Sequence, residues 1–493
     1  MNDPGPEAPR GDAPLVVDLD GTLLRTDLLE ESALRAVLGA PGATLGAAGD
    51  LLRGRKAALK RRLAVAGPPD AATLPLREEV VARLRQEKAQ GRRLVLATAA
   101  DELLARPVAE RVGLFDDVLA SDGTRNLGGE AKRDTLVSRF GERGFDYAAD
   151  RRADLPVFRS ARRAWLVGPA VGLRGELERS GTTVEAEIPE RPGRARALLA
   201  SLRARHWAKN LLVFVPLVTG HVFSPAALLA AALAFVALSA LASAVYVLND
   251  LADLEADRAH PSKRERPVAS GRLSIRAAMG LVPLLLASAA LLGSSLPPGA
   301  RVLLVVYLAT TTLYTLLLKR KVLLDVFTLA FLFTLRVLLG GAATGVLVSP
   351  WLLAFSVFFF LSLAFAKRAA ELLSVRARGL EGAAGRDWLL PDGGTVPVLG
   401  VASAYLSGLV LAIYVHSDAT RRLYAHPGWL WLLVPAVLYW SSRVWVLVGR
   451  GEVHEDPVLF ALRDRVSWAL ALATAGILLL AARGSFGVPG LIE

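Results

Sequence analysis

The chain has 493 residues, of which 53% are hydrophobic and 21% charged, and its mean hydropathy is +0.40. Soluble cores of this length cannot hide so much apolar side chain, so a wholly soluble protein is excluded, and ordinary shares of Gly (43) and Pro (27) exclude collagen-like and low-complexity classes. A formal charge of +12 admits nucleic acid, anionic lipid or phosphorylated substrates, while the lack of cysteine and the scatter of six histidines exclude disulfides, a thiol nucleophile and an ordinary zinc site.

Residues 1–14 are polar and contain proline, with no apolar stretch behind a basic end. A disordered amino terminus without a cleavable signal peptide, kept in the cytoplasm, is expected. Over 15–175 short apolar runs (LVVDLD, RLVLATAA, AWLV) alternate with amphipathic segments such as LREEVVARLRQEKAQG, the pattern of a soluble α/β domain. The stretch of about 28–75 reads as a helical insertion, and 176–203 as a linker to a membrane domain over 204–493. There, nine candidate spans occur at roughly 206–222, 226–248, 277–297, 300–318, 322–346, 350–366, 397–417, 428–449 and 467–483. Most Lys and Arg between the spans fall in the even-to-odd loops; the opposite loops and tail hold only Arg301, Arg421, Arg422 and Arg483. The positive-inside rule therefore puts the basic loops and the soluble domain in the cytoplasm, with the protein in the inner membrane. This topology accounts for much of the charge, and with no aromatics interleaved in the basic stretches a nucleic-acid partner is not expected. An oligomer is neither required nor excluded.

The first apolar strand ends in Asp18-Leu19-Asp20-Gly21-Thr22. Residues two apart on a strand project to the same side, so the two carboxylates share a pocket. One can attack phosphorus while the other manages the proton of the leaving oxygen, provided a divalent cation offsets their repulsion. A second strand ends in Thr98, Lys132 follows in GGEAKRD, and AADRRAD supplies Asp150 and Asp154. In this order the four motifs resemble the haloacid dehalogenase (HAD) superfamily over roughly residues 13–170. The resemblance implies a Rossmann-like parallel sheet with a helical cap, with Asp18 as nucleophile and Asp20 as general acid/base. It also makes Thr98 and Lys132 the phosphate holders, and gives Mg2+ to Asp18, the Asp20 carbonyl and Asp150, supported by Asp154. Ala149 stands where the family has Gly or Ser.

After the second span comes Asn249-Asp250-Leu251-Ala252-Asp253-Leu254-Glu255-Ala256-Asp257, then Arg258, Lys263, Arg264 and Arg266. On one continuous helix the acids at 250, 253 and 257 form a stripe, and three parallel carboxylates call for a hard cation such as Mg2+ shared with substrate phosphate oxygens. This NDxxDxxxD motif resembles the UbiA superfamily of intramembrane transferases over about 203–483. Within that superfamily the strings RARHWAKN, NDLADLEADRAHPSKRERPVASG, LLDVFTLAFLFTLRVLLGG, AKRAAEL and EDPVLFALRDR resemble the decaprenyl-phosphate phosphoribosyltransferases. The resemblance implies an all-α bundle that moves 5-phosphoribosyl from phosphoribosyl diphosphate (PRPP) to a polyprenyl phosphate and releases diphosphate. Its candidate substrate-binding residues are Lys209, Asn210, Asn249, Lys263, Arg264, Arg266, Arg336, Lys367 and Arg368. Two polyanionic substrates need such cations. Arg336 lies inside an apolar span, where an arginine is costly unless it faces a polar cavity or partner, and Asp325 is either its neighbour or a separate site.

Glu455, Asp456 and Asp464 form a further acidic group, read equally as a metal site or a solvated loop. The loop after span six begins with Lys367, Arg368 and Glu371, and its Asp387 and Asp392 do not form a second aspartate repeat. The alternative is a prenyltransferase with a prenyl diphosphate donor and an aromatic or other acceptor, beside an independent phosphatase. A transporter, and a phosphatase on an inert anchor, are the readings from other classes. The fusion itself suggests that the HAD-like domain removes the 5-phosphate of the transferase product, giving polyprenylphosphoryl ribose.

Overall fold

A computed structural model describes residues 13–189, 193–379, 386–453 and 456–483. The chain divides into two compact units: residues up to Ser201 with Val247–Val282, and Leu202–Tyr246 with residues from Pro283 onward.

The first unit is built on β1 (Leu15–Val17), β2 (Leu94–Asp101), β3 (Asp117–Ser121), β4 (Asp146–Ala149), β5 (Arg163–Val167) and β6 (Thr183–Ile188). Its helices are α1 (Leu28–Gly39), α2 (Pro41–Leu52), α3 (Lys56–Ala66), α4 (Glu78–Ala89), α5 (Glu102–Val112), α6 (Glu130–Phe140), α7 (Leu155–Ser160), α8 (Arg174–Arg179) and α9 (Arg194–Ser201). The sheet is parallel in the order β3-β2-β1-β4-β5-β6. Helices cover both faces, so the strands are almost continuously apolar: Leu15 and Val17 enter one core, Val16 the other. Winding reverses between β1 and β4, which opens a crevice at their carboxyl ends. Helices α1, α2 and α3 fill the expected insertion and pack Ala36, Ala47 and Leu63 together.

The stretch 176–203, expected as a linker, instead carries edge strand β6, paired with β5 from Arg163↔Thr183 to Val167↔Ile188. Its Thr-Val-Glu-Ala-Glu-Ile alternation suits an edge: Ala186 is buried, and Glu185 accepts a hydrogen bond from the Trp165 indole at 3.1 Å.

The remaining helices are α10 (Val215–Thr219), α11 (Pro225–Ala252), α12 (Leu254–Ala259), α13 (Ile275–Ser294), α14 (Pro298–Leu316), α15 (Leu324–Thr344), α16 (Pro350–Ala377), α17 (Thr395–His416), α18 (Asp418–Leu423), α19 (Leu433–Gly449), α20 (Pro457–Ala461) and α21 (Arg465–Arg483). Among the described residues eight helices are long and apolar enough to cross a membrane: α11, α13, α14, α15, α16, α17, α19 and α21. The first of the nine expected spans is not among them. Residues 204–214 form a 3₁₀ stretch that turns into the short α10 at Pro216. The cause is polar: Lys209 and Asn210 point inward to ion-pair and hydrogen-bond partners, which a lipid-facing span does not offer. Gly340 of α15 admits this stretch, since a Cβ there would run into the Val213 carbonyl.

Helices α16, α17 and α19 meet at Gly400, where a Cβ would lie 2.9 Å from that of Phe365 and clash with the Trp445 ring. Small residues let helix backbones approach where no hydrophobic driving force acts between them. Gly400→Val should cost about 1–3 kcal/mol through overpacking and lower the melting temperature of the detergent-solubilised protein, read by tryptophan fluorescence; an unchanged melt would contradict the packing.

Candidate active sites

The first site lies in the crevice between β1 and β4. Asp18 follows β1, Thr98 lies within β2, Lys132 is in the first turn of α6, Asp150 follows β4, and Asp154 sits in the 3₁₀ turn before α7. Lys132 Nζ donates to Asp18 at 2.8 Å, Asp154 at 3.1 Å and the Tyr147 hydroxyl at 3.0 Å, and that hydroxyl donates to Asp154 at 2.9 Å. One oxygen from each of Asp18, Asp150 and Asp154 lies within 4.8 Å of the others. Three hard-oxygen donors at this spacing suit Mg2+. Gly21, at φ 79°, makes the crowding tolerable, because a Cβ there would strike the Asp150 carboxylate. Asp20 stands outside the triad and accepts the Leu28 amide at 2.9 Å. Thr98 is fully buried, and its hydroxyl oxygen accepts the Ala100 amide at 3.0 Å.

Burial is the main cause that raises these acids. It lifts Asp18 against the pull of Lys132, and lifts Asp20 well above 3.8 with help from Asp27 and Asp18. Asp150 is pushed up to about 7 by burial, against Arg151. Burial also works to lower Lys132, but Asp18 and Asp154 overcome it and raise the ammonium above its ordinary value. A protonated Asp20 is the form a general acid requires.

The second acidic set departs from the expected stripe. Helix α11 ends at Ala252, Asp253 lies in a turn at φ −96°, ψ 14°, and α12 then begins. Asp250 and Asp257 are buried and share Arg266, whose Nη1 donates at 3.2 and 2.5 Å, whereas Asp253 is exposed. Among the described residues the Asp18 triad is the gathered carboxylate set of metal-ligand spacing, and these three acids do not form another. The protein's own guanidinium takes the position between two of them that was expected for a metal. Lys263 and Arg264 are exposed in a 3₁₀ turn.

In the second unit Lys209 and Lys367 converge on Asp456, with Lys367 Nζ at 3.5 Å, around a cavity of about 30 Å³ that Phe333 also lines. Burial would raise Asp456, but the two lysines hold its carboxyl well below the usual range. Next to them Arg336, 5% exposed, donates to Asn210 at 2.9 Å, to the Tyr307 hydroxyl at 3.2 Å and to the Leu332 carbonyl. Asn210 donates in turn to Ser239 at 3.0 Å. Arg336 thus has the polar surroundings its sequence position demands.

Asp325 is not its neighbour. It is fully buried and lies 3.0 Å from Arg368 Nε, while Trp388 Nε1 donates to it at 3.0 Å. Arg368, itself fully buried, also pairs with Glu371, so it stands in a structural ion cluster rather than at an open substrate surface. Asp464 is separate again, bound by Arg443 at 2.7 and 3.0 Å, and Glu455 lies outside the described residues.

Residues 211–463 match the UbiA prenyltransferase family, and residues 15–159 match the haloacid dehalogenase-like hydrolases. Protein y4nM of Sinorhizobium fredii is 38% identical over 95% of this chain and 91% of its own. The decaprenyl-phosphate phosphoribosyltransferase of Mycobacterium tuberculosis is 33% identical over 56% of this chain and 91% of its own. A solved UbiA homolog from Archaeoglobus fulgidus bound to GPP and Mg2+ is 14% identical, with a TM-score of 0.45, over 57% of this chain and 99% of that one.

The chain belongs to the UbiA prenyltransferase family. Its UbiA domain follows a HAD-like hydrolase domain, so it is an integral membrane enzyme with a transferase part and a hydrolase part. Sequence reasoning missed Tyr147, Tyr307 and the pairing of Asp456 with two lysines. A tyrosine inside an apolar strand or span carries no motif signal, and Asp456 lies far along the chain from Lys209.

A raised acid stabilises the fold when protonated and less as pH climbs through its folded value. For Asp150, with 3.8 when unfolded and about 7 when folded, the metal-free hydrolase domain loses stability from about pH 4 to 7. Mg2+ favours the ionised acids, so its stabilising effect should grow over that range. Melting the protein with and without Mg2+ at acidic and mildly alkaline pH checks this; an increment independent of pH contradicts it, and Asp150→Asn should flatten the dependence.

Proposed function

We propose that the UbiA domain transfers 5-phosphoribosyl from PRPP to a polyprenyl phosphate, releasing diphosphate, and that the hydrolase domain then removes the 5-phosphate to leave polyprenylphosphoryl ribose. The likeness to decaprenyl-phosphate phosphoribosyltransferases, spanning 91% of the tuberculosis protein's length, carries the reading of the transferase. The lysine pair at Asp456 supports it, because a cavity fitted with two ammonium groups and one carboxylate is suited to receive a phosphate in exchange for that carboxylate. Positive-inside bias assigns the basic loops and the hydrolase domain to the cytoplasmic side of the inner membrane.

In the transfer step a lipid phosphate oxygen attacks the anomeric carbon as its bond to diphosphate breaks. The lipid phosphate is already anionic at neutral pH and needs no strong base. Asp250, Asp253 and Asp257 would hold Mg2+ there only once Arg266 gives up Asp250 and Asp257, and the ion would then supply charge neutralisation of the leaving diphosphate. Lys209 and Lys367 bind phosphate oxygens, and Arg336 fixes Asn210 and Tyr307 around them. In the hydrolytic step Asp18 attacks the 5-phosphate, Asp20 protonates the departing ribose oxygen, and the same carboxylate then takes a proton from the water that cleaves the aspartyl phosphate. Lys132 opposes protonation of Asp18 and orients it, and Asp18, Asp150 and Asp154 are the hydrolase residues that would hold Mg2+.

Asp250→Asn should abolish formation of labelled lipid from PRPP and polyprenyl phosphate, by at least about a hundredfold, without loss of membrane insertion; full activity would overturn the transferase reading. Consumption of prenyl diphosphate instead of PRPP would favour the aromatic prenyltransferase alternative. For the second step, Asp18→Asn should accumulate the 5-phosphorylated lipid, seen by mass spectrometry, where the wild type yields the dephosphorylated one. A wild type that also stops at the phosphorylated lipid assigns the hydrolase to another substrate.

A further inference from the structure

The first turn of α1 has two faces, and both are occupied. On its inner side Asp20 accepts the Leu28 amide at 2.9 Å. Asp27 caps the helix by accepting the Leu29 amide at 3.0 Å, and its other oxygen pairs at 3.1 Å with Arg151, which lies 3.4 Å from Asp150. On the outer side the same turn meets the segment that follows the acidic motif of the UbiA domain, residues that belong to the same compact unit. Glu31 forms a bidentate pair with Arg258 at 3.0 and 2.6 Å and accepts the Thr26 hydroxyl at 2.5 Å; Glu31 and Arg258 expose only 2% and 5% of their side chains. Arg258 also donates to the Ala269 carbonyl at 3.1 Å. Glu30 takes Arg276 at 2.6 Å and its backbone amide at 3.1 Å, and Arg35 pairs with Glu255 at 2.6 Å. Gly271, at φ 71°, brings the loop against Arg25, where a Cβ would sit 2.6 Å from that residue's carbonyl oxygen.

We propose that Arg258 and Arg276, supplied by the membrane transferase's loop, are positioning residues of the hydrolase: they clamp α1 so that Asp20 meets the leaving oxygen. The inference rests on the hydrolase reading of Asp18 and Asp20. Planar, bidentate Arg–carboxylate pairs fix direction as well as distance, and a buried one does not slide. Arg258 follows Asp257 directly, so the clamp is part of the segment that carries the transferase's acids. The hydrolase geometry is therefore completed by residues some 230 positions downstream of α1, a span given by the 227 positions between Glu31 and Arg258.

The test uses the full-length protein in detergent and its Mg2+-dependent release of phosphate from ribose 5-phosphate, whose alkoxide leaving group needs the proton that Asp20 supplies. Glu31→Gln and Arg258→Gln should each lower kcat roughly ten- to a hundredfold with KM within about twofold, the signature of a displaced acid/base rather than lost substrate binding. The exchange Glu31→Arg with Arg258→Glu should recover most of that loss. Arg276→Gln, at a position whose side chain is 67% exposed, keeps the proposal testable should the buried variants not fold, and is expected to lower kcat several-fold with the same split. Wild-type kcat in the folded Arg276 and Glu31 variants, or a loss that falls on KM, overturns the clamp while leaving the hydrolase reading intact. Hydrolysis that does not depend on Asp18 overturns the hydrolase reading and the clamp with it.

Discussion

A buried carboxylate must be met by a cation, and each site of this protein answers that demand from its own chain. Lys132 stands between Asp18 and Asp154, Arg266 between Asp250 and Asp257, and Lys209 with Lys367 around Asp456. Without those partners the acids would take up protons or the sites would open to water, since an unpaired buried charge costs several kcal/mol. The arrangement lets the sites form before any substrate or metal arrives.

The internal cations differ in how firmly they are held, and this separates scaffolding from chemistry. Arg368 is fully buried with Asp325 and Glu371, with the Trp388 indole on the same Asp325 carboxylate. Lys367, one residue earlier on α16, keeps 36% of its side chain exposed and lies 3.5 Å from its acid. Neighbouring positions on one helix thus point to opposite fates, one locked in the core and one facing a cavity. The same contrast holds for Arg258, buried against Glu31, and Lys263, exposed five positions later.

The parts of this picture that were legible in the sequence are those with local signals. The motif order supported the resemblance to a parallel-sheet hydrolase, but strand period did not place the first two acids: β1 ends at Val17, and Asp20 turns to the Leu28 amide, outside the triad that Asp18 joins. Membrane helices announced themselves by length and hydropathy. The misses have physical causes of another kind. The break of α11 at Ala252 goes with Arg266 lying between Asp250 and Asp257, a contact no helical wheel contains. Arg368 had the composition of a substrate ligand and became structural because Asp325, 43 positions earlier on α15, reaches it first, a separation visible only in three dimensions. Residues 206–222 were apolar enough to resemble a span, yet Lys209 and Asn210 turn the segment into the protein, and the strand β6 hid in a stretch too polar to look like part of a core.

Charge balance also distinguishes the hydrolase crevice from the lysine-lined cavity. The hydrolase crevice sets three acids against Lys132 and Arg151, a balance that a divalent ion would tip toward a phosphate. The Lys209–Lys367 cavity has the opposite surplus, two ammonium groups for one carboxylate, which favours an anion without a metal. On the proposed function, metal and phosphate binding would be coupled in the first site and separable in the second. Asp456 rests against its two lysines and Asp150 lies 3.4 Å from Arg151, so each acid already has a cation of its own chain beside it.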